Sequence, residues 1–541
     1  MYNFEIRLRI VLQILAAGLL VAYVLLRWTR KPWLERGVAA LVKMEAVPHR
    51  LFALSACGFF LLAFAGKISQ ASVMALNGAD FWLFEDMLFW FTKGEPYITR
   101  FAPQASGPVQ HGGVHAYLSF LLTAPLAKIF GPLNVALAFN AAMIAGAGYV
   151  LARIAYTITA SVRIALLLAL GFWVSEWTSR ILMFDMHPEA AYPLCGLLLY
   201  AATERFAQLK NLKSYVLFSL AWVLMAAWKQ DTIMVCGVIW LWFSLRREWS
   251  IRAAVTAAVA TALPLILMTM MVQMYKSGAL GAAAVTIGES LTVPVAKPAF
   301  GSHVVGGHQI AGVGSVFAIG EFLLQKNGGL FGMLKAILLY FVTDPFVFFA
   351  LTAPWLWRRF EFWILVMPMA LVFAVVGGNM GVLSNYHTAP LLVGMWIAII
   401  FDLRKAVGAG ERAVFYKAVW IVVISLIHGG SSLAYYQPSA AARGTLLEAK
   451  QLTNGLPGLG VVSSRLLLAV PHEQVWTDQL PLLDGQIQEP PSFVRWVLFP
   501  KALPSYDMPS EVQAAWRNYV AAHPEWELRT SEFNELYLRR E

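Results

Sequence analysis

Asp80 opens the stretch ADFWLFEDMLFWF, with Glu85 and Asp86 five and six residues further on, and Arg100, His111 and His115 follow before the next long apolar run. Carboxylates, a guanidinium and two imidazoles in one stretch can remove a proton from a hydroxyl, hold a phosphate or bind a cation. Asp80 has two readings: an N-cap, which Asp suits well, or a catalytic or substrate-binding carboxylate. Glu85 and Asp86 are adjacent, so they are expected on different faces of a helix. His111 and His115 are four apart, a spacing compatible with a metal on one helix face. Gly112 and Gly113 between them argue against a regular helix, and no HExxH accompanies them, so a phosphate, a sugar hydroxyl or ordinary loop polarity remain as alternatives.

Further groups follow in the same manner. Asp185, His187 and Glu189 lie in DMHPEA, either as a cap, since Pro188 suits the first turn of a helix and Glu189 its positive end, or as part of a site, since three titratable groups in five residues at a membrane face are more than capping needs. Lys229 and Asp231 occur in WKQD, either as a mutual ion pair or with Lys229 on a phosphate. Tyr386 and His387 occur in SNYHTAP, where a structural hydrogen bond explains them as well as a site does.

The elements that must position these residues are membrane spans. The chain has 541 residues, 59% hydrophobic and only 13% charged; a soluble protein carries roughly 25% charged residues. The 20 Trp and 18 Tyr suit many membrane–water interfaces. Runs long enough to cross a bilayer are expected at 10–27, 51–67, 133–153, 163–181, 189–204, 214–228, 231–246, 253–275, 331–352, 362–378, 387–402 and 414–430. Cys57, Cys195 and Cys236 fall inside such runs and read as small buried packing residues. The run from Ile10 to Leu26 ends on RWTRKPW, which is no cleavage site.

The net charge of +10 comes from Arg and Lys clustered in loops, at 27–50, 246–252, 358–359 and 404–412. This is the bias that marks cytoplasmic loops, and it argues for orientation over nucleic-acid binding. With those loops inside, residues 68–132 lie outside. The apolar stretch 115–130 is then expected as a helix lying on the membrane surface, because counting it as a span would turn every later basic loop outward. Polar function gathers on the outer face, and the inner loops are expected to hold little beyond Lys and Arg. The outer stretch 276–330, Gly-rich and carrying His303 and His308, is expected to be a structureless linker, lid or substrate loop.

From Gln437 the composition changes and no run reaches span length. Stretches VVSSRLLLAV, QVWTD, FVRWVLF and WELRTS read as short strands, and SEVQAAWRNYVAAH as a helix with a Ser N-cap. The expected organisation is an all-α polytopic membrane region over 1–436 and a small α/β domain over 437–541, outside the cytoplasm.

The order of D-x-x-x-F-E at 80–85, His115 before an apolar surface helix, HPE at 187–189, K-x-D at 229–231 and YH at 386–387 resembles the bacterial membrane family known as domain of unknown function 2079, which is in turn similar to the GT-C glycosyltransferases. The resemblance covers roughly residues 60–500. Gln230 departs from it, since the family usually has an acidic residue after the Lys. The resemblance implies a GT-C-like fold of about 12 transmembrane helices. It implies an inverting enzyme that moves a sugar from a polyprenyl-phosphate donor to an envelope glycan, lipid or protein acceptor on the outer face of the cytoplasmic membrane. Asp80 would be the general base. Glu85 or Asp86 would assist or bind a divalent cation, Mg or Mn. His187, Lys229 and Arg100 would stabilise the departing phosphate. The competing readings are a transporter or flippase of a lipid-linked saccharide, which calls for charges near the bilayer midplane and internal repeats, and a non-catalytic envelope assembly protein.

Overall fold

The computed structural model describes residues 48–540 apart from 75, 77, 102–106, 114–115, 184–185, 247–248, 289–290, 297–303, 306–307, 310–323, 326, 343–350, 377–388, 409, 430–439, 478, 481, 484 and 503–507. The expected span at 10–27 lies outside the described residues, as do His115, Asp185, His303, Tyr386 and His387. The side chain of Asp80 lies outside them too.

Apolar runs form helices wherever the described residues include an expected span, even where Pro264 falls inside the run. These are α1 (Pro48–Ser72), α4 (Pro132–Thr159), α5 (Val162–Trp173) with α6 (Glu176–Met183), α7 (Tyr192–Leu209), α8 (Leu212–Ala226), α9 (Ile233–Leu245), α10 (Ile251–Ser277), α11 (Gly329–Val342), α12 (Phe360–Leu365) with α13 (Met367–Val376), α14 (Ala389–Val407) and α15 (Glu411–Gly429). Among the described residues, α1, α4 and α10 are each long and apolar enough to cross a membrane. The pair α5 and α6, bent by 57°, passes when taken as one span. The caps are local chemistry. Asn211 and Ser214 form a reciprocal capping box at the start of α8, and Ser250 accepts from Ala253 N–H at the start of α10.

Two short helices are not part of this set. Helix α2 (Gly78–Thr92) is buried on nearly every described side. Residues 118–130, a 3₁₀ turn followed by α3 (Ala124–Phe130), form an apolar segment of about 20 Å at 1.5 Å per residue, against a hydrocarbon core of about 30 Å. Phe120 and Ala127 face the protein, whereas Leu122, Ile129 and Phe130 are exposed. The exposed face is thus apolar, which suits contact with acyl chains over contact with water.

The bundle closes where small residues let helices approach. A Cβ on Gly148 of α4 would lie 2.1 Å from Trp173 Nε1, and that indole instead donates to Ile144 O at 3.2 Å. Cys195 and Cys236 are buried, but Cys57 is exposed on the outward side of α1, contrary to the packing role expected of it. The basic loops also carry more than cations. Glu204 accepts from Arg404 at 2.6 Å, with Arg246 3.7 Å away. Asp402 holds Arg359 at 2.8 Å and Lys417 at 2.5 Å, and Glu361 pairs with Lys405. Buried acids therefore clamp the helix ends on that side of the bundle.

The remaining chain builds a mixed sheet. Its order is β12 (Trp526–Thr530), β13 (Asn534–Arg539), β11 (Val494–Pro500), β7 (Leu459–Val462) and β8 (Val475–Thr477), with β7 parallel to both β11 and β8 and the other pairs antiparallel. Helices α16 (Ala440–Thr453) and α17 (Ser510–Ala522) and a minor pair, β9 (Leu482–Leu483) with β10 (Gln486–Ile487), complete it. Three expectations change here. Strand β7 stops at Val462, and a 3₁₀ turn occupies Ser464–Leu466; α16 and β13 were not foreseen; Ser510 is the first residue of α17, with Pro509 in the cap position.

The stretch 276–330 is not a bare linker. It contains an antiparallel hairpin, β3 (Ala284–Ile287) with β4 (Leu291–Pro294), and a two-residue pair, β5 (Val304–Val305) with β6 (His308–Gln309). Val285, Ile287 and Val293 of the hairpin share a core with Trp90 and Ile98 and with Val461, Trp476, Val497 and Trp516 of the sheet region. Alternation in β3 and β4 supplies one apolar face, and burying that face unites three segments far apart in sequence.

Candidate functional site

Helix α2 places its residues on two sides. At 100° per residue, Asp80, Phe84, Met87 and Phe91 share one face, and Glu85, Asp86 and Phe89 share the other. The helix begins at Gly78, so Asp80 lies in its first turn and not at its cap.

The second face carries a buried ionic cluster. Glu85, Asp86 and Arg100 are each 1% exposed or less, so every charge needs a partner. Strand β1 (Ile98–Thr99), paired with β2 (Val109–Gln110), delivers Arg100 against the helix. Arg100 Nη2 and Nε donate to Asp86 Oδ1 at 2.6 and 3.2 Å, and Arg100 N–H donates to Asp86 Oδ2 at 2.7 Å. Arg100 Nη1 donates to the carbonyls of His472 and Val475, both at 2.5 Å. The ring of His472 stacks on Phe89, with centroids 4.7 Å apart, and its Nε2 lies 2.9 Å from Glu85 Oε2. Glu85 and Asp86 thus converge on one imidazole, contrary to the divergence expected of neighbours on a helix.

The electrostatics follow from that geometry. Burial opposes charge on Asp86, but Arg100 and His472 outweigh it and hold the carboxyl at about 2. Burial likewise opposes charge on His472, but Glu85 and Asp86 raise it to about 9. Two carboxylates and two cations leave the buried cluster neutral. A charged ring aims Nδ1–H at Asp86 Oδ1, 3.5 Å away; a neutral ring can accept there from Arg100 Nη2 at 2.8 Å.

The first face of α2 looks towards a different set. Phe84 meets the His187 ring edge-on, with centroids 5.0 Å apart. His187 Nδ1 is hydrogen-bonded to Glu189 Oε2, and Lys229 Nζ donates to Glu189 Oε1 at 2.5 Å. The buried Glu189 carboxylate is therefore bracketed by an imidazole and an ammonium. Tyr192 OH donates to Asp231 Oδ1. Asn140 of α4 donates to Ile181 O at 2.9 Å and accepts from His187 N–H at 3.4 Å, fixing the backbone ahead of Pro188.

His111 belongs to neither cluster. It sits in a 3₁₀ turn, His111–Gly113, donates its N–H to Tyr97 O at 2.8 Å and stacks on Tyr117 with centroids 6.4 Å apart. Gly112 is required there, since a Cβ would lie 2.6 Å from the Tyr275 ring. Arg100, expected at a phosphate, is instead committed to Asp86 and two carbonyls. A divalent cation fits Glu85 and Asp86 poorly, because Arg100 covers both oxygens of Asp86 and His472 faces Glu85. No group of three or more potential ligands suited to a metal is present among the described residues.

Four residues escaped the sequence reading. His472 is a lone histidine with no motif around it. Tyr192 follows HPEAA without any signal. Asn140 and Lys67 did carry one, being polar residues inside apolar runs. Lys67 is 4% exposed and donates to Gln70 Oε1 at 3.0 Å.

Residues 71–433 match the model of a family described as "Predicted membrane protein (DUF2079)". No curated protein matches the chain. Among solved structures, the crystal structure of ArnT from Cupriavidus metallidurans bound to undecaprenyl phosphate superposes at a TM-score of 0.42 and 12% identity, covering 90% of this chain and 97% of that one. That degree of likeness sets no correspondence between individual residues.

Proposed function

The chain belongs to the DUF2079 family of predicted membrane proteins, and from that premise we propose that it is a membrane glycosyltransferase. It takes a sugar from a polyprenyl-phosphate donor and gives it to an envelope acceptor on the outer face of the cytoplasmic membrane. The observation that carries the reading is the sharing of α2. One face holds Asp80 in line with Phe84, which packs on His187 beside Glu189 and Lys229; the other face is locked to the sheet region through Asp86, Arg100 and His472.

In this reaction the acceptor hydroxyl attacks the anomeric carbon as the bond from that carbon to the phosphate oxygen breaks. Asp80 takes the hydroxyl proton, the phosphate oxygen leaves with the electron pair, and the anomeric centre inverts. Lys229 and His187 stabilise the charge that develops on the departing phosphate. Glu189 holds both in place. Glu85, Asp86 and Arg100 position the helix that carries Asp80 and take no part in the chemistry, and no step requires a metal.

The test is a transfer assay with purified full-length protein, a polyprenyl-phosphate sugar and envelope acceptors. Asp80→Asn is expected to slow transfer about 10²–10⁴-fold, the range for a lost general base, with an unchanged melting temperature. Transfer at the wild-type rate overturns the mechanism.

A further inference from the structure

At the end of the bundle where the basic loops lie, the starts of α8 and α10 border a pocket of about 410 Å³. Its lining includes Lys210, Asn211, Tyr215, Trp249, Ser250 and Arg252, and no acidic residue among the described ones. Two helices begin here side by side, capped by Asn211 and Ser250. Each start carries unpaired N–H groups and about half a positive charge. Arg252 is held over the Tyr215 ring, 5.4 Å from its centroid. Lys210 closes α7 in a left-handed conformation, φ 49°, which fixes its backbone at the rim. Cations, helix starts and aromatic walls in one concavity select an anion with an apolar body.

The pocket also has an apolar approach. Leu212 and Ile251, beside the two caps, are 77% and 85% exposed, a costly arrangement in water and a natural one against acyl chains. We propose that this pocket binds the phosphate of an anionic phospholipid headgroup, taken from the leaflet on the basic side of the membrane. The phosphate sits between Lys210, Arg252 and the two helix starts, and the glycerol end packs against Tyr215 and Trp249. The site is separate from α2 and does not depend on the glycosyltransferase reading.

The experiment uses the full chain in detergent and in phosphatidylcholine nanodiscs with and without phosphatidylglycerol. Native mass spectrometry measures retained lipid. Lys210→Asn, a residue that tolerates positive φ, is combined with Arg252→Gln. The control, Arg358→Gln with Arg412→Gln, removes the same charge from exposed positions outside the pocket. Wild type and control are expected to retain phosphatidylglycerol over phosphatidylcholine, and the pocket variant to lose that preference roughly tenfold or more. Equal retention by the pocket variant, or equal loss in the control, overturns the proposal. So does inorganic phosphate that binds wild type as tightly as the lipid does, because the anion would then need no membrane.

Discussion

His472 Nε2 lies 2.9 Å from Glu85 Oε2, a contact that joins residues 387 positions apart. It makes the sheet region a structural part of the loop that carries Asp80. Arg465 reinforces the join by donating to Met74 O at 2.5 Å, one turn before α2. The same helix touches His187 through Phe84, so α2 packs against the sheet region on one face and the Glu189 cluster on the other.

The first consequence is a dependence on pH. The pKa of His472 is raised from 6.5 to about 9 in the folded chain. Its contribution to stability is therefore complete below pH 6.5 and is lost as pH rises through about 9. Hydrogen exchange across 472–477 and 81–92 should quicken over that window in wild type and change less in His472→Gln. Equal pH profiles in the two proteins would remove the cation from the cluster. Asp86 acts at the other extreme: its pKa is lowered to about 2, so its contribution is present above 3.8 and lost as pH falls through about 2.

Arg100 is the most exacting position. Removing a buried partner strands the other charge, at a cost of about 3–5 kcal/mol. Arg100→Ala should lower the melting temperature by that equivalent, since it leaves Asp86 buried and two carbonyls without their donor. Arg100→Lys should recover little, because an ammonium cannot reproduce the fork that reaches Asp86 and the carbonyls together. A fully stable Arg100→Lys protein would show that charge alone suffices.

The apolar runs were legible as helices because a bilayer calls for about 20 apolar residues per crossing; among the described residues α1, α4 and α10 are long and apolar enough to cross, as is the bent pair α5 and α6 taken as one, and other expected spans are shorter helices. Stretch 115–130 reads as apolar enough for a span, and only the parity of the basic loops set it apart; the described segment 118–130 is about 20 Å long, short of a crossing. The partners of Glu85 and Asp86 were not. Glu85 and Asp86 lie about 100° apart around the helix, on either side of Phe89, and only a ring from the sheet region stacked on Phe89, reached across hundreds of residues, brings both carboxylates to one point. The hairpin at 284–294 was hidden by its glycine-rich surroundings, and its strands gain their stability from a core shared with distant segments. The Glu189 cluster was half legible: the motif drew together His187, Glu189 and Lys229 by type, but the central place of the acid is a matter of packing.

Lys229 offers a test of the phosphate end. Lys229→Gln keeps an amide donor for Glu189 and removes the charge. Under the proposed chemistry kcat should fall about 10²–10³-fold, as for a lost oxyanion donor, while the acceptor KM holds. A rise confined to the donor KM, with kcat unchanged, would assign Lys229 to ground-state binding. Melting curves separate either outcome from loss of the fold, because Glu189 still pairs with His187.

The two ends of the bundle should lie on opposite sides of the membrane. Trp90, Ile98, the hairpin and the sheet share one core, so they must share one side. Helix α10 runs from Ser250, at the basic end, to Tyr275, which packs on Gly112 and Tyr97, and it is long and apolar enough to cross. Cysteine placed at Arg529, exposed on β12, or at Lys213, exposed at the start of α8, reports each side in a Cys57→Ser background. Arg529→Cys should react with an impermeant maleimide on intact cells, and Lys213→Cys only after the membrane is opened. Labelling of both from one side would require α10 to lie within a single leaflet's reach, and the outer placement of the Asp80 helix would fall with it.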